Sequence, residues 1–406
     1  MNSTNNLNDS NCNYTEHNSS EEFYTDFSFW IENVVQSTIG VVGIAANTIA
    51  IPALCSREMF SIFNCLLMFL AIFDNFFIVC QLLEAHRRIT NGISYDEDAF
   101  NQAHEYAFAY FLYPFHSFVL VCSMYMTVAL ALERYQAIWK PIEYRNKTIG
   151  VNPWERVVLY YVLPVIIFSA LINIPKWFEI QLRVYSQSIY INDSVNGSIN
   201  LTYAEPTALR INHIYVVCWA NIATLTVQGI IPLVSLCILN YRIYSVMIRR
   251  RSLTNRPVSI EMRECESERL SMIQKNGSKN QKPKKTQEEA QRNANETKQA
   301  FVLFVIVLFY LTFHFPRFLI NLHEFYHLDT IKVIMEGSKD DKKECDGFPI
   351  WALAFTSISH CLLTLNSSSN FFIYCFMSSK FREVAYQRRL VVFKWFLDFR
   401  FLSTKM

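Results

Sequence analysis

The sequence predicts an all-α membrane protein, a seven-transmembrane helix bundle followed by a short amphipathic eighth helix. Three features predict this class: seven long apolar runs, polar stretches between them, and basic residues concentrated on one side of the runs. Each run is long enough to cross a hydrocarbon core of about 30 Å, which takes about 20 helical residues. The runs cover about 31–56, 60–86, 105–132, 155–178, 213–246, 299–325 and 349–377.

The fourth run argues against a large soluble helical protein. The helices of such a protein would each carry a polar face. The stretch "ERVVLYYVLPVIIFSALINIPKW" has no such face. The overall apolar content of 51% decides little, because soluble domains are also roughly half apolar.

The distribution of basic residues predicts the orientation in the membrane. No Lys or Arg precedes Arg57, whereas the segment after the fifth run contains "YRIYSVMIRRR". Because excess Lys and Arg marks the cytoplasmic side, we expect a multi-pass plasma-membrane protein with an extracellular N-terminus. The net charge of +2 hides this segregation and does not indicate a nucleic-acid partner.

The polar segments set the domain boundaries. Residues 1–30 are predicted to be an extracellular glycosylated arm, 31–378 the bundle, and 379–406 the eighth helix and cytosolic tail. Residues 249–298 are the long cytosolic third loop. Sequons on the predicted outer side indicate glycosylation at Asn2, Asn8, Asn13, Asn18, Asn192, Asn196 and Asn200.

The stretch "ALERYQAIWKPIEYR" at the inner end of the third run resembles the rhodopsin-like family of G-protein-coupled receptors. Its Glu133-Arg134-Tyr135 matches the acidic-Arg-aromatic triplet of that family. The resemblance implies that Glu133 holds Arg134 at rest, and that Arg134 is later freed to meet a heterotrimeric G protein. Glu296 stands where the family often has a second acidic partner, and Tyr374 completes the expected switch.

Polar residues inside the runs match the polar core of the same family, in "GIAAN", "LAIFD" and "NSSSNFFIY". An ionisable residue such as Asp74 is costly in mid-membrane and therefore marks function. The resemblance implies a pocket for a sodium ion as allosteric modulator, and no other cofactor is expected. Its residues would be Asn47, Asp74, Ser123, Asn366, Ser367 and Asn370. "SSKFREV" resembles the eighth helix, with Phe381 packing inward.

The chain also departs from the family pattern. Asn370-Phe371 replaces the usual Asn-Pro pair, and Ala109 stands 25 residues before Arg134, where a cysteine is usual. No Cys lies between 179 and 217, so the usual disulfide from the third span to the second outer loop cannot form.

Two cysteines, Cys12 and Cys345, are the only ones that lie clearly in predicted extracellular segments. We therefore predict a disulfide that joins the N-terminal arm to the third outer loop. The alternative is two unpaired or intermolecular thiols.

The positions that define two ligand classes of the family are changed. His116 replaces the aspartate of amine receptors, 18 residues before Arg134, and Thr364 replaces the lysine of retinal proteins. Loss of both favours a peptide, a lipid, or no small ligand.

The sixth run contains the polar stretch "LTFHFPRFLI". Pro316 cannot donate a backbone hydrogen bond and loosens the helix. His314 takes the place of the family's toggle tryptophan, and Arg317 is expected to face the ligand pocket. The combination is similar to receptors for FMRFamide-type neuropeptides, as are "INIPKWFE" and "LNSSSNFFIY". The alternative role for Arg317 is a structural pair with an acid such as Glu84.

The ligand is therefore expected to be a short amidated neuropeptide. Acids near the pocket mouth, Glu84, Glu105, Glu179 and Glu324, would suit a peptide with a basic residue near its aromatic end. The expected ligand-binding residues are Glu84, His116, Arg317, Asn321, Glu324 and His360. Besides the peptide and the heterotrimeric G protein, the expected partner is membrane lipid.

Two alternatives remain beside the peptide receptor. One is an orphan or constitutively active receptor, since the Asn370 motif is weakened. The other is an intramembrane zinc protease, because "HEFYH" places His323 and His327 on one helix face with Glu324 between them. That alternative leaves Asp74 and Arg134 unexplained, so we expect a receptor and not an enzyme.

Overall fold

The computed structural model describes residues 23–93, 99–191, 194–254, 282–326, 350–378 and 380–387. Within these residues, seven helices are long and apolar enough to cross a membrane. We number them span one to span seven: Phe23–Leu54, Ile62–Arg87, Gln102–Trp139, Pro153–Phe178, His213–Arg249, Thr297–His323 and Ile350–Met377. The predicted membrane-spanning helix bundle is thus confirmed.

Several helices extend beyond the apolar segment. The helix of span two covers Ile62–Ile93, that of span five continues to Thr254, and that of span six covers Lys282–Tyr326. The expected third cytosolic loop is therefore helical at both of its ends. The stretch "KPKKTQEEAQ" is helical because Lys, Glu, Gln and Ala are strong helix formers.

Short elements connect the spans. A helix at Pro141–Thr148 follows span three, and Ala208–Ile211 precedes span five. The strands β1 (Ile180–Ile191) and β2 (Ser194–Pro206) form an antiparallel hairpin between spans four and five. This hairpin was not predicted, although "RVYSQSIYI" is rich in Val, Ile and Tyr, residues that favour strands.

Span three occupies the centre of the bundle and packs against spans two, four, five and six. The core contains fully buried side chains from several spans, including Leu66, Met126, Leu236 and Leu303. Spans one and seven approach closely at Gly43, where a Cβ atom would collide with the side chain of Ser368. These contacts fix the polar residues of spans two, three and seven relative to one another.

Residues 380–387 are helical, and one face of this segment is buried. Phe381, Val384 and Ala385 pack inward, whereas Lys380 and Arg382 are exposed. The Ser378 hydroxyl accepts from the Phe381 backbone N–H at 3.1 Å. The amphipathic pattern is that expected for an eighth helix, and its placement along a membrane stays a prediction.

Candidate ligand site and activation switch

The carboxylate of Asp74 lies at the centre of a polar cluster that we name the Asp74 core. Asp74 is fully buried; its Oδ1 accepts from the Ser123 hydroxyl at 2.6 Å, and its Oδ2 accepts from Asn370 Nδ2 at 2.7 Å. The Asn47 amide donates to the Ser367 carbonyl at 3.0 Å. Four spans thus meet through residues that the sequence singled out. Their oxygen atoms are ligands that suit a hard cation, and sodium binding stays a prediction.

The span-six residue His314 connects this core to a cavity. Its ring stacks on Tyr310 at 4.0 Å between centroids, and its Nε2 lies 3.5 Å from Asn366 Nδ2. The helix continues through Pro316, although the proline cannot donate a hydrogen bond to the Thr312 carbonyl. The expected toggle position is thus in contact with span seven.

The span-six cavity lies between spans three, five, six and seven. Two expected ligand-binding residues, Arg317 and Asn321, line it. Sequence reasoning missed Gln228 of span five, which adds a polar side chain to the wall. The other lining residues are Leu120, Met124, Gly229, Leu233, Tyr310, His314, Phe318 and Leu363.

Of the other expected ligand-binding residues, Glu84, His116 and His360 do not line this cavity. Glu84 Oε2 lies 3.5 Å from His116 Nδ1, so Glu84 pairs with His116. No ion pair joins Glu84 to Arg317 among the described residues. His360 is half-buried in span seven, and the side chain of Glu324 lies outside the described residues.

Two of the acids expected at the pocket mouth, Glu105 and Glu179, face cations of their own chain. Glu105 is buried and pairs with Arg87 at 3.2 Å. Glu179 is buried and forms ion pairs with Lys176 at 3.1 Å and Arg210 at 3.8 Å. The expectation that these acids offer free negative charge to a basic peptide is corrected accordingly.

Glu179 joins three spans in a cluster that we name the Glu179 hub. Its Oε2 accepts from the Tyr113 hydroxyl at 2.5 Å, and its Oε1 accepts from the Tyr215 hydroxyl at 2.6 Å. Burial alone would raise the pKa of Glu179, but Lys176, Arg210 and the two phenols hold it below its ordinary value of 4.5. The hub connects spans three and five to the end of span four. It therefore links span three to the base of the hairpin. The family's usual disulfide would join these two parts of the chain, and this chain lacks the cysteines for it.

The opposite end of the bundle carries what we name the Arg134 lock. Arg134 Nε donates to Glu133 Oε2 at 2.5 Å, and Nη2 donates to Glu133 Oε1 at 2.8 Å. Nη1 donates to the Gln299 side chain of span six, and the guanidinium lies 4.3 Å from the Phe63 ring centroid. Arg134 thus ties span three to span six in this state.

The lock extends to the short helix after span three. Tyr144 donates its hydroxyl to Glu133 Oε1 at 2.5 Å. Burial and the Glu133 carboxylate raise the pKa of Tyr144, so the phenol remains a donor. Tyr135 stacks on Trp139 at 5.8 Å, and Tyr374 is buried with no hydrogen-bond partner for its hydroxyl among the described residues.

Sequence reasoning missed Gln299 and selected Glu296, whose side chain lies outside the described residues. The two positions are one helical turn apart, so both sit near the inner end of span six. Gln299 carries no charge, whereas the family pattern leads one to expect an acidic partner for Arg134 at the inner end of span six.

Several predicted sites fall outside the described residues. These are Cys12, Cys345, Asn2, Asn8, Asn13, Asn18 and Asn192. Asn196 and Asn200 lie on β2. Of the cysteines that the structure describes, none is in a disulfide.

The "HEFYH" stretch is described only in part. His323 packs edge-on against the Trp351 ring at 4.8 Å, whereas His327 and the Glu324 side chain lie outside the described residues. Among the residues that the structure describes, no group of three His, Cys, Asp or Glu side chains is placed to hold a metal ion.

Comparison with known proteins agrees with this geometry. The family described as 7 transmembrane receptor (rhodopsin family) matches residues 46–374. A curated relative, the FMRFamide receptor of Drosophila melanogaster, is 26% identical over 364 residues. The match covers 88% of this chain and 53% of the relative, so the chain spans about half the length of that protein.

Proposed function

The chain belongs to the rhodopsin family of seven-transmembrane receptors, and we propose that it is a plasma-membrane receptor for a short amidated peptide of the FMRFamide type. Its N-terminus is placed outside the cell by this proposal, and its inner surface activates a heterotrimeric G protein. The family is one of receptors for extracellular ligands that act through G proteins, and the chain is a multi-pass membrane protein.

The observation that carries the proposal is a polar path between the span-six cavity and span seven. His314 contacts both the cavity and Asn366, and one helical turn further along span seven Asn370 donates to Asp74. A ligand that changes the position of span six can therefore change the contacts of span seven. Span six also reaches the Arg134 lock, through Gln299.

The proposed mechanism is a shift between two packings of the bundle. In the described state, Arg134 is held by Glu133 and Gln299. In the other packing, which we call open, Arg134 is released from Gln299. A ligand shifts the receptor population toward the open packing only if it binds that packing more tightly than the closed one. To move the ratio of open to closed receptors from 1:99 to 99:1, the ligand must bind the open packing more tightly than the closed one by about 5.5 kcal/mol.

The closed lock supports a ligand-dependent receptor over a constitutively active one. Arg134 is only 6% exposed and has three hydrogen bonds to side chains. Opening it breaks charge-assisted hydrogen bonds, which are stronger than neutral ones. The weakened Asn370 motif does not remove the donor to Asp74.

The proposal is tested in cells that express the full chain, with calcium and cAMP as readouts. An amidated peptide library that includes FMRFamide is applied to the wild type and to Arg134→Ala at matched surface expression. We expect a dose-dependent response in the wild type that Arg134→Ala removes. Responses that survive Arg134→Ala contradict the mechanism, and absence of any response across the library contradicts the peptide proposal.

A further inference from the structure

The Glu84 carboxylate differs from the two other described acids of the expected pocket mouth. Glu105 and Glu179 each pair with lysine or arginine side chains. The titratable partner of Glu84 in the described part of the chain is His116, with 3.5 Å between Oε2 and Nδ1. A histidine is charged only when it is protonated, so Glu84 keeps negative charge that a ligand can neutralise.

The contact between Glu84 and His116 leaves the carboxylate able to accept further hydrogen bonds. Its 3.5 Å is longer than the about 2.7–2.9 Å of a charge-assisted hydrogen bond. An ionised carboxylate has two oxygens with about four acceptor sites, and it can bind an arginine through both oxygens. Glu84 can therefore accept a guanidinium without losing a short internal hydrogen bond.

Glu84 and His116 lie on helix faces that point into the bundle. On span two, Glu84 follows the buried Phe77 by two helical turns, and the Phe77 ring stacks on His116 with 5.2 Å between centroids. On span three, His116 precedes the buried Ser123 by two turns. The side chains of Glu84 and His116 are nonetheless 22% and 19% exposed. Because these faces do not point toward lipid, the exposed atoms border open space inside the bundle.

The pair lies near the end of the bundle that carries the hairpin. Glu84 is ten residues beyond Asp74 on span two, which corresponds to about 15 Å of helix, and the span ends at Arg87. The proposed function places this end outside the cell, where a peptide arrives. The span-six cavity is a poor alternative for a guanidinium, because Arg317 lines it and would repel a second cation.

We propose that Glu84 and His116 form a subsite for a guanidinium, and that Glu84 binds the arginine side chain of the peptide. The ligand class is an amidated peptide with arginine before its C-terminal aromatic residue, as in FMRFamide. The planar guanidinium takes both oxygens of Glu84, and such bidentate pairs add orientation as well as free energy. This assigns to one residue a role that the sequence left open among four acids. The inference rests on the proposed function, because it takes the ligand to be such a peptide.

The test measures binding and does not depend on signalling. The full chain is purified in lipid nanodiscs, and its thermal unfolding is followed with two peptides. One is FMRFamide, and the other is an analogue in which citrulline, a neutral isostere, replaces the arginine. A ligand that binds the folded state raises Tm by an amount that grows with its concentration relative to Kd. We expect FMRFamide to reach a given shift at about tenfold lower concentration than the citrulline analogue, because hydrogen bonds between charged groups are stronger than those to neutral groups.

Three variants locate the effect. Glu84→Gln is expected to remove the preference for FMRFamide over the citrulline analogue, and Glu84→Asp to retain it in weaker form. Glu205→Gln is the matched control, because it removes an acid that pairs with the exposed Arg183 on the hairpin. It lowers the negative charge by the same amount and should leave the preference intact. If Glu84→Gln does not fold, Glu84→Asp decides, and a preference equal to that of the wild type then overturns the proposal.

The proposal is overturned if neither peptide shifts Tm, if both peptides act equally on the wild type, or if Glu84→Gln keeps the preference. Loss of the preference in Glu205→Gln also overturns it, because net charge and not Glu84 would then be recognised. The outcome in cells separates this subsite from the proposed function. The arginine preference without a calcium or cAMP response supports the subsite and contradicts the function, whereas equal potency of the two peptides in cells supports the function and overturns the subsite.

Discussion

The amide of Asn370 and the carboxylate of Asp74 meet across spans seven and two, with 2.7 Å between Nδ2 and Oδ2. Phe371 follows Asn370 where the family has proline, yet the asparagine still donates to the acid. The second carboxylate oxygen is satisfied by Ser123 of span three. The polar contact between these spans therefore does not depend on the proline.

Removal of this donor should destabilise the bundle. In Asn370→Ala, Oδ2 of the fully buried Asp74 loses its hydrogen bond, and leaving such a group unsatisfied costs about 1–3 kcal/mol. We expect a lower midpoint of thermal unfolding in nanodiscs. Ser369→Ala is the control, because that hydroxyl bonds only to the Asn366 carbonyl of its own helix. An equal decrease of Tm in Asn370→Ala and Ser369→Ala would contradict a stabilising role of the contact between Asn370 and Asp74.

The close approach of spans one and seven predicts a second effect. In Gly43→Ala the new Cβ collides with Ser368, and overpacking of this kind costs about 1–3 kcal/mol. Ser368→Gly removes the opposing atoms, so the double variant should recover part of the lost Tm. A double variant no better than Gly43→Ala alone would contradict this packing.

The Glu179 hub should contribute strongly to stability at neutral pH. Glu179→Gln leaves Lys176 and Arg210 without their anion, and breaking a buried pair costs about 3–5 kcal/mol. Adding Lys176→Met should restore part of the loss, because one uncompensated charge is then gone. Thermal unfolding of the three proteins measures this, and an unchanged Tm in Glu179→Gln would contradict it.

The same hub predicts a pH dependence. The folded-state pKa of Glu179 lies below its ordinary value of 4.5, so its stabilisation is complete above that value. As pH falls below 4.5 toward the folded-state pKa, the unfolded state binds the proton first and the stabilisation is lost. The Tm difference between wild type and Glu179→Gln should therefore shrink in this window. A difference that stays constant down to pH 3 would contradict the assignment to Glu179.

The contact between Gln299 and Arg134 predicts a change in basal signalling. Gln299→Ala removes the span-six acceptor of Nη1 and weakens the closed state. We expect higher ligand-independent G-protein activation at matched surface expression. Lys298→Ala alters the exposed neighbour and is the control. Unchanged basal activity in Gln299→Ala would indicate that this contact does not hold the lock closed.

The sequence was sufficient to predict the membrane-spanning helices and the buried polar residues between them. The spans follow from run length, and Asp74, Ser123 and Asn370 converge because a buried acid needs donors. Glu133 is adjacent to Arg134 in sequence, so their ion pair could also be anticipated.

The electrostatic partners could not be predicted from sequence in the same way. Glu179 meets Tyr113 and Tyr215 only after spans three and five have packed beside it. The sequence therefore predicts free carboxylates at Glu105 and Glu179, whereas both are paired with cations in the structure. The partner of Arg134 on span six is the neutral side chain of Gln299. An uncharged amide cannot be recognised from the distribution of charged residues in the sequence.

The most direct test of the central claim is the distance between the inner ends of spans three and six. Spin labels at the exposed positions Gln136 and Lys298 report it, after replacement of the other reactive cysteines. We expect a longer distance with bound FMRFamide than without ligand, and a similar increase in Gln299→Ala without ligand. G-protein activation with an unchanged distance would contradict it.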